Sequence, residues 1–308
     1  MEKARSHIPV LAKQVIEILA PKPGGIFVDC TVGLGGHSAE LLARLLPKGR
    51  LIGIDFDPAS IAIASKRLAK VPRAKGRFEI HQNNFAALPN ILAEAGVEKV
   101  DGILADLGVS SPQIDDPDRG FSYRQKGPLD MRMDPARGQS AAALINRLSE
   151  KELAEAFLQF GDETDAPLIA QLIVDRRKIK PIETTQELTA VVCQARRFTL
   201  ERAAGAKLHP AARTFQALRI LVNREMPNLE RLLAIAPQLL KPGGIVAIIS
   251  FHSGEDRRVK KGFKAGFDDG LYSEIAWEPL FADEDEIRAN SRARSAKLRW
   301  AKKAGPAA

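Results

Sequence analysis

A chain of 308 residues with 45% hydrophobic and 27% charged side chains can bury a sizeable core, and its composition excludes fibrous, low-complexity and disordered classes. It carries no leader-like segment and no apolar run long enough to span a bilayer, so a cytoplasmic protein that does not enter membranes is expected. The formal net charge of +8 suits a polyanionic partner without identifying one, and the two cysteines, Cys30 and Cys193, have neither metal nor disulfide spacing.

In chain order, His7-Ile8-Pro9-Val10-Leu11 comes first, then a helical pattern through Leu19 that ends at Pro21-Lys22-Pro23-Gly24-Gly25. Ile26-Phe27-Val28 reads as a strand running into Asp29-Cys30-Thr31-Val32-Gly33-Leu34-Gly35-Gly36-His37-Ser38, with a helix leaving it. Strand, glycine-rich turn and helix start bring backbone close to a ligand, and a Cβ in the turn would block that approach. The next apolar run, Leu51-Ile52-Gly53-Ile54, ends in Asp55, 20 residues after Gly35, an offset at which an acidic residue accepts hydrogen bonds from ribose hydroxyls. A dinucleotide fits poorly. Ser38 stands at the third glycine position, and Asp29 would sit beside a pyrophosphate. A carboxylate there suits a cation such as the amino or sulfonium group of S-adenosylmethionine.

Asp57-Pro58 is a helix start. Residues 77–81 read as a third strand ending at Gln82-Asn83-Asn84-Phe85, which suits either an adenine or a turn before a core aromatic. A helix near 88–95 precedes a fourth strand at 100–106. Repeated βα units imply a parallel sheet with ligands gathered at the carboxyl ends of its strands. Asp29, Asp55, Asn84 with Phe85, and Asp106 all fall there.

The period then breaks. Leu107 to Gln113 is turn-rich, and Asp118 to Arg124 and Gly127 to Pro135 follow without helix or strand pattern. Their interleaved arginines and aromatics suit a base and its phosphates, or a solvated loop with Arg–Asp pairs. Helical patterns occupy 141–148, 150–159, 167–177 and 185–196, so 114–209 reads as a helical insertion. A further helix at 211–225 carries Phe215, Leu218, Leu221 and Val222, expected to pack on the sheet. After a helix at 229–240, the unbroken run Ile245 to Ser250 is a fully buried strand; Phe251-His252-Ser253 closes it and a charged helix opens at Gly254. Arg292, Arg294, Lys297, Arg299, Lys302 and Lys303 read as a basic tail, for phosphate contact or simply solvated.

Taken together, several stretches closely resemble one family, the bacterial S-adenosylmethionine-dependent 16S rRNA (cytosine-N4)-methyltransferases. They are His7 to Leu11, Thr31 to Ser38, Asp106 to Gln113, Arg119-Gly120-Phe121-Ser122, Gly127-Pro128-Leu129-Asp130-Met131-Arg132-Met133-Asp134, Arg213 to Ile220, Ile249-Ser250-Phe251-His252-Ser253 and Ala293 to Arg299. Gly254 stands where the family usually has Leu. The resemblance implies an α/β fold: a Rossmann-like class I methyltransferase core, doubly wound and mostly parallel, with an inserted all-helical domain. The core would occupy 1–113 and 210–308, and the substrate-recognition insertion 114–209. The implied cofactor is S-adenosyl-L-methionine, held by Gly35, Gly36, His37, Asp55, Phe85, Asp106 and Gln113. The implied partner is 16S rRNA or the small ribosomal subunit, methylated on a cytidine near the decoding centre by a monomer or weak dimer.

Cytosine N4 is a poor nucleophile because its lone pair is delocalised into the ring. An acceptor facing an N4 hydrogen would localise that pair, and topology makes Asp106 the nearest one. Ser111 and His252 are weaker alternatives. Two other classes stay open: a nicotinamide dehydrogenase, which would need the missing third glycine, and a non-catalytic RNA-binding assembly factor, which would have no use for the cofactor acids.

Overall fold

The computed structural model describes residues 9–206 and 208–305, so His7 and Ile8 of the opening motif lie outside the described residues. The chain forms two compact units, one built from the segments up to Gly108 and from Met226 onward, the other from Val109–Glu225. The first unit contains α1 (Ala12–Leu19), β1 (Ile26–Asp29), α2 (Gly36–Leu45), β2 (Arg50–Asp55), α3 (Pro58–Leu68), β3 (Phe78–Gln82), α4 (Leu88–Glu94) and β4 (Val100–Asp106). Among the described residues the second unit contributes seven helices: α5 (Ser111–Asp115), α6 (Ala141–Arg147), α7 (Glu150–Gly161), α8 (Ala166–Ile179), α9 (Thr185–Ala195), α10 (Leu200–Ala204) and α11 (Ala212–Asn223). The first unit then resumes through α12 (Glu225–Leu239), β5 (Leu240–Ser250), α13 (Ser253–Asp268), β6 (Tyr272–Ile275), α14 (Glu284–Ala289) and β7 (Lys297–Lys303).

The seven strands among the described residues form one sheet in the order β3-β2-β1-β4-β5-β7-β6. The first five are parallel, and β7 runs antiparallel between β5 and β6. Period-two side-chain alternation sends successive residues to opposite faces, both covered by helices. Val28, Ile52, Ile103 and Ile248 face a core completed by Ile91, Leu232 and Phe263; Phe27, Leu51, Leu104 and Ala247 face the one completed by Val15, Leu41 and Leu68. That double burial is why these strands read as unbroken apolar runs.

Local signals hold at several boundaries. Asp57 caps α3, its Oδ1 accepting from the Ala59 amide at 3.0 Å, with Pro58 at the first helical position. Ser149-Glu152 and Thr184-Glu187 form reciprocal capping boxes for α7 and α9.

The structure corrects the sequence reading in three places. The basic stretch at 297–303 is the interior strand β7, not a tail. Leu298 and Trp300 point into one core while Arg299 and Ala301 face the other side. Its alternation was masked because the buried charge, Arg299, pairs with Asp256 of α13. The helix carrying Phe215 and Leu218 packs in the core of the second unit, with Phe157, Ile169 and Leu188, rather than on the sheet. That unit therefore extends past 209, to Glu225. Within the turn-rich 107–113 stretch, Ser111 and Pro112 start the short helix α5. Among the described residues the second unit holds no strand, only an isolated antiparallel bridge between Pro128 and Thr184.

Candidate active site

Parallel registry fixes where the acidic residues meet. Asp29 pairs with Gly53 and Leu104, Asp55 with Gln82, and Asp106 with Ile249, so Asp29, Asp55 and Asp106 sit at the carboxyl edge of the sheet. The glycine-rich turn links β1 to α2 at this edge. Gly33 and Gly35 have φ of +52° and +77°, a left-handed backbone that a Cβ disfavours. At Gly36 the reason is proximity, since a Cβ would come within 3.1 Å of Pro9.

Asp55 holds this turn. Its Oδ2 accepts from the Gly33 amide at 2.7 Å and its Oδ1 from the Asp57 amide at 2.9 Å. Burial outweighs these bonds and pushes its carboxyl up to about 6. Each oxygen keeps a second lone pair for a ribose hydroxyl. Asp29 proves structural. It is 1% exposed, its Oδ2 accepts from the Ser38 hydroxyl at 2.6 Å, and its Oδ1 accepts from the Thr31 amide at 3.1 Å. It shapes the turn and adds negative potential but offers no open face to a cation. Burial raises its pKa.

His37 and Asp106 are brought together. His37, buried in the first turn of α2, places Nε2 3.6 Å from Asp106 Oδ2 at the tip of β4. Among the described residues neither His37 Nε2 nor Asp106 Oδ1 has a hydrogen-bond partner, although both atoms are buried. The Asp106 backbone is anchored, its amide donating to Thr31 Oγ1 at 2.6 Å. Burial disfavours a charged imidazole, but the Asp106 carboxylate outweighs it and the His37 pKa is raised.

Phe85 starts a 3-10 turn after β3 and is half-buried against the core. The flanking amides are committed locally: Asn84 Oδ1 caps that turn through the Ala86 amide, and Asn83 Oδ1 accepts from the Asn84 amide, each at 2.8 Å. Any adenine contact here therefore falls to Phe85 and to the amide nitrogens. His252 sits at the N-cap of α13, with Nε2 3.3 Å from Oε1 of Glu255, a buried carboxylate whose Oε2 accepts from the Phe251 amide. Gly254 makes room for that imidazole, since a Cβ would lie 3.1 Å from its Nδ1. His252 thus faces a carboxylate of its own helix, with its buried Nε2 making no hydrogen bond among the described residues.

Gln113 and Ser111 belong to the second unit. Gln113 is buried and its Oε1 accepts from the Ser110 amide at 2.9 Å; Ser111 is the first residue of α5. The arginine-rich loop of this unit is largely self-satisfied. Arg132 makes a bidentate pair with Asp130 at 2.8 and 2.7 Å, and Arg119 donates to the carbonyls of Arg132 and Met133. Phe121, Leu129 and Met131 are core residues. Tyr123 stacks on His209 at 4.5 Å, a contact that sequence spacing did not reveal.

A mostly parallel sheet of this strand order, with a glycine-rich turn and acidic residues at the tips of β1, β2 and β4, is a Rossmann-like class I methyltransferase core. The model of the MraW methylase family matches residues 4–304. Similar proteins include the ribosomal RNA small subunit methyltransferase H of Geotalea uraniireducens, 46% identical over 96% of this chain and 98% of that protein. Those named the same in Heliobacterium modesticaldum and Sorangium cellulosum are each 44% identical, over 96% and 99% of this chain and 98% and 93% of theirs. The chain belongs to the MraW methylase family.

Proposed function

We propose that the protein transfers a methyl group from S-adenosyl-L-methionine to the exocyclic N4 of a cytidine in small-subunit ribosomal RNA, in the cytoplasm. The enzyme is a ribosomal RNA methyltransferase, and the observation that carries the site assignment is the Asp106 carboxyl group. It lies at the carboxyl edge of the sheet, with one buried oxygen unpartnered among the described residues. An acceptor left open in a buried site is costly unless a ligand completes it.

The residues present fit the cofactor. Asp55 offers lone pairs to a ribose, Gly35 and Gly36 let backbone approach, and the Asp106 carboxylate, with the negative potential of buried Asp29 behind it, favours a cation. When bound, S-adenosylmethionine supplies an electrophilic methyl group. The protein's part is to align N4 with that carbon at roughly 3–3.5 Å and to accept an N4 hydrogen at Asp106. Gln113, Phe85 and His37 complete the proposed cofactor set, and Ser111 and His252 hold no catalytic role in this reading. The target nucleotide must be unstacked to reach the site, so RNA of the small subunit is the expected substrate and a monomer or weak dimer suffices.

The test is methyl transfer from labelled S-adenosylmethionine to small-subunit RNA that lacks its own modification, with nucleoside analysis. Label in N4-methylcytidine supports the reading. Cofactor binding with no label on any RNA or subunit supports a non-catalytic assembly factor instead. Asp106→Asn is expected to lower turnover by at least a hundredfold; full turnover with normal cofactor affinity would remove Asp106 from the mechanism.

A further inference from the structure

Among the described residues, Asp106 Oδ1 and His37 Nε2 are buried without hydrogen-bond partners and belong to groups that face each other, with 3.6 Å between His37 Nε2 and Asp106 Oδ2. The neighbouring Asp29 carboxylate, by contrast, accepts from the Thr31 amide and the Ser38 hydroxyl of its own turn and helix start. His252 Nε2 also lacks a hydrogen bond, but the carboxylate it faces, Glu255, has no orphan oxygen; the orphan Asp106 Oδ1 marks the His37–Asp106 pair as chemistry held open rather than as a structural bridge.

We propose that His37 acts through Asp106 as a positioning and relay residue, holding the proton that leaves the target nitrogen, an inference that rests on the methyl-transfer reading above. The nitrogen lone pair becomes the new C–N bond while the C–S pair stays on sulfur, so the positive charge moves from sulfur to nitrogen. The N–H pair then returns to nitrogen and the proton passes to the Asp106 carboxylate. Asp106 hands it to His37 Nε2, closing the gap by roughly 0.7 Å to hydrogen-bond distance. One positive charge passes from sulfur to nitrogen to imidazole, and the buried site never gains or loses net charge.

The same electrostatics time the relay. Three carboxylates act on His37: Asp106 of β4, Asp29 of β1 and Glu286 of α14, whose Oε1 accepts from the Leu11 amide at 2.6 Å. Together they outweigh burial and favour the charged imidazole. A sulfonium in the site offsets them and keeps His37 neutral, ready to accept; once that charge is gone, His37 holds the proton until product leaves.

Two measurements test this. In wild-type protein without RNA, the 13Cε1 resonance of His37 is titrated with bound S-adenosylmethionine and with bound S-adenosylhomocysteine. The midpoint is expected to be at least one pH unit lower with the sulfonium, a tenfold difference in proton affinity. Equal midpoints overturn the relay. In single-turnover methylation, the wild-type rate should rise with pH along one titration and level off. His37→Gln should lose that limb and fall about tenfold or more at the plateau. A pH-independent loss that leaves the limb in place shows a merely structural His37 and overturns the relay while methylation itself stands. Failure of the wild type to label any RNA removes the methyl-transfer reading and the relay with it. If His37→Gln does not fold, the wild-type resonance comparison decides.

Discussion

Two carboxylate clusters in the same unit use similar groups to opposite ends. Asp256 of α13 is saturated. Its Oδ1 accepts from Arg299 Nε at 2.6 Å and its Oδ2 lies 3.5 Å from Lys297 Nζ, while Arg299 Nη1 donates onward to the Trp277 carbonyl at 2.8 Å. Burial would raise the Asp256 pKa, but Arg299 overrides it and the carboxyl stays below its usual value. Asp106 faces a histidine at 3.6 Å, keeps an orphan oxygen, and has Asp29 nearby to add like charge. A buried polar network with every bond made locks a fold; one left incomplete is tuned for a visitor. Completeness of hydrogen bonding, rather than charge or burial, separates the strut from the site.

The sharpest way to break this contrast is to unpair the strut. Arg299→Met should destabilise the protein by about 1–3 kcal/mol in denaturant unfolding, because it leaves the Asp256 carboxylate with Lys297 alone, yet leave cofactor affinity of the folded protein unchanged. The pH dependence has a definite sign. A depressed carboxyl contributes stability above its unfolded value, so the gap between wild type and variant should narrow below about pH 4 as Asp256 is protonated in both. A loss of cofactor affinity without loss of stability would reverse the assignment of the two clusters.

At the site the effect should fall on binding. Asp55→Ala removes a charged acceptor and should weaken S-adenosylhomocysteine roughly tenfold to hundredfold by calorimetry. Because burial holds Asp55 at about 6, binding to wild type should weaken as pH falls through that value, and Asp55→Asn should lack this limb. Smaller still is Gly35→Ala. At φ +77° with Ala64 Cα 3.2 Å from the new Cβ, a cost of about 1–2 kcal/mol in stability is expected, with weaker cofactor binding on top.

What the sequence disclosed follows the same line. The apolar runs at β1, β2, β4 and β5 and the acids that end them were legible because a doubly covered parallel sheet writes continuous hydrophobicity and its ligand edge is fixed by chain direction. The pairing of His37 with Asp106 was not, since 69 residues separate them and only the parallel registry of β1 with β4 brings them together. Strand β7 was hidden for another reason: five of its seven residues are charged or aromatic, so its period-two pattern shows only once the Asp256 carboxylate is known to receive Arg299. The helix with Phe215 and Leu218 carries an apolar face that would suit either unit, and amphipathicity says nothing about which core receives it.

Correcting the tail moves the expected phosphate contacts, and this gives the smallest prediction. Lys297 and Arg299 are held by Asp256, so they are poor candidates for counterion release. Arg257, Lys260 and Lys261 on α13 are different: Arg257, Lys260 and Lys261 have no ion pair among the described residues, and Arg257 and Lys260 project from a helix that starts at the ligand edge, directly after β5. Substituting Arg257 or Lys260 with Ala should weaken RNA binding a few-fold, alike for every sequence, and lower the slope of log affinity against log salt by about one. Lys297→Ala should leave that slope where it is, because a cation already neutralised by a carboxylate releases no phosphate counterion. If Lys297→Ala flattens the slope as much as Arg257→Ala does, the Asp256 cluster opens to RNA and its saturation in the free protein is a resting state rather than a strut.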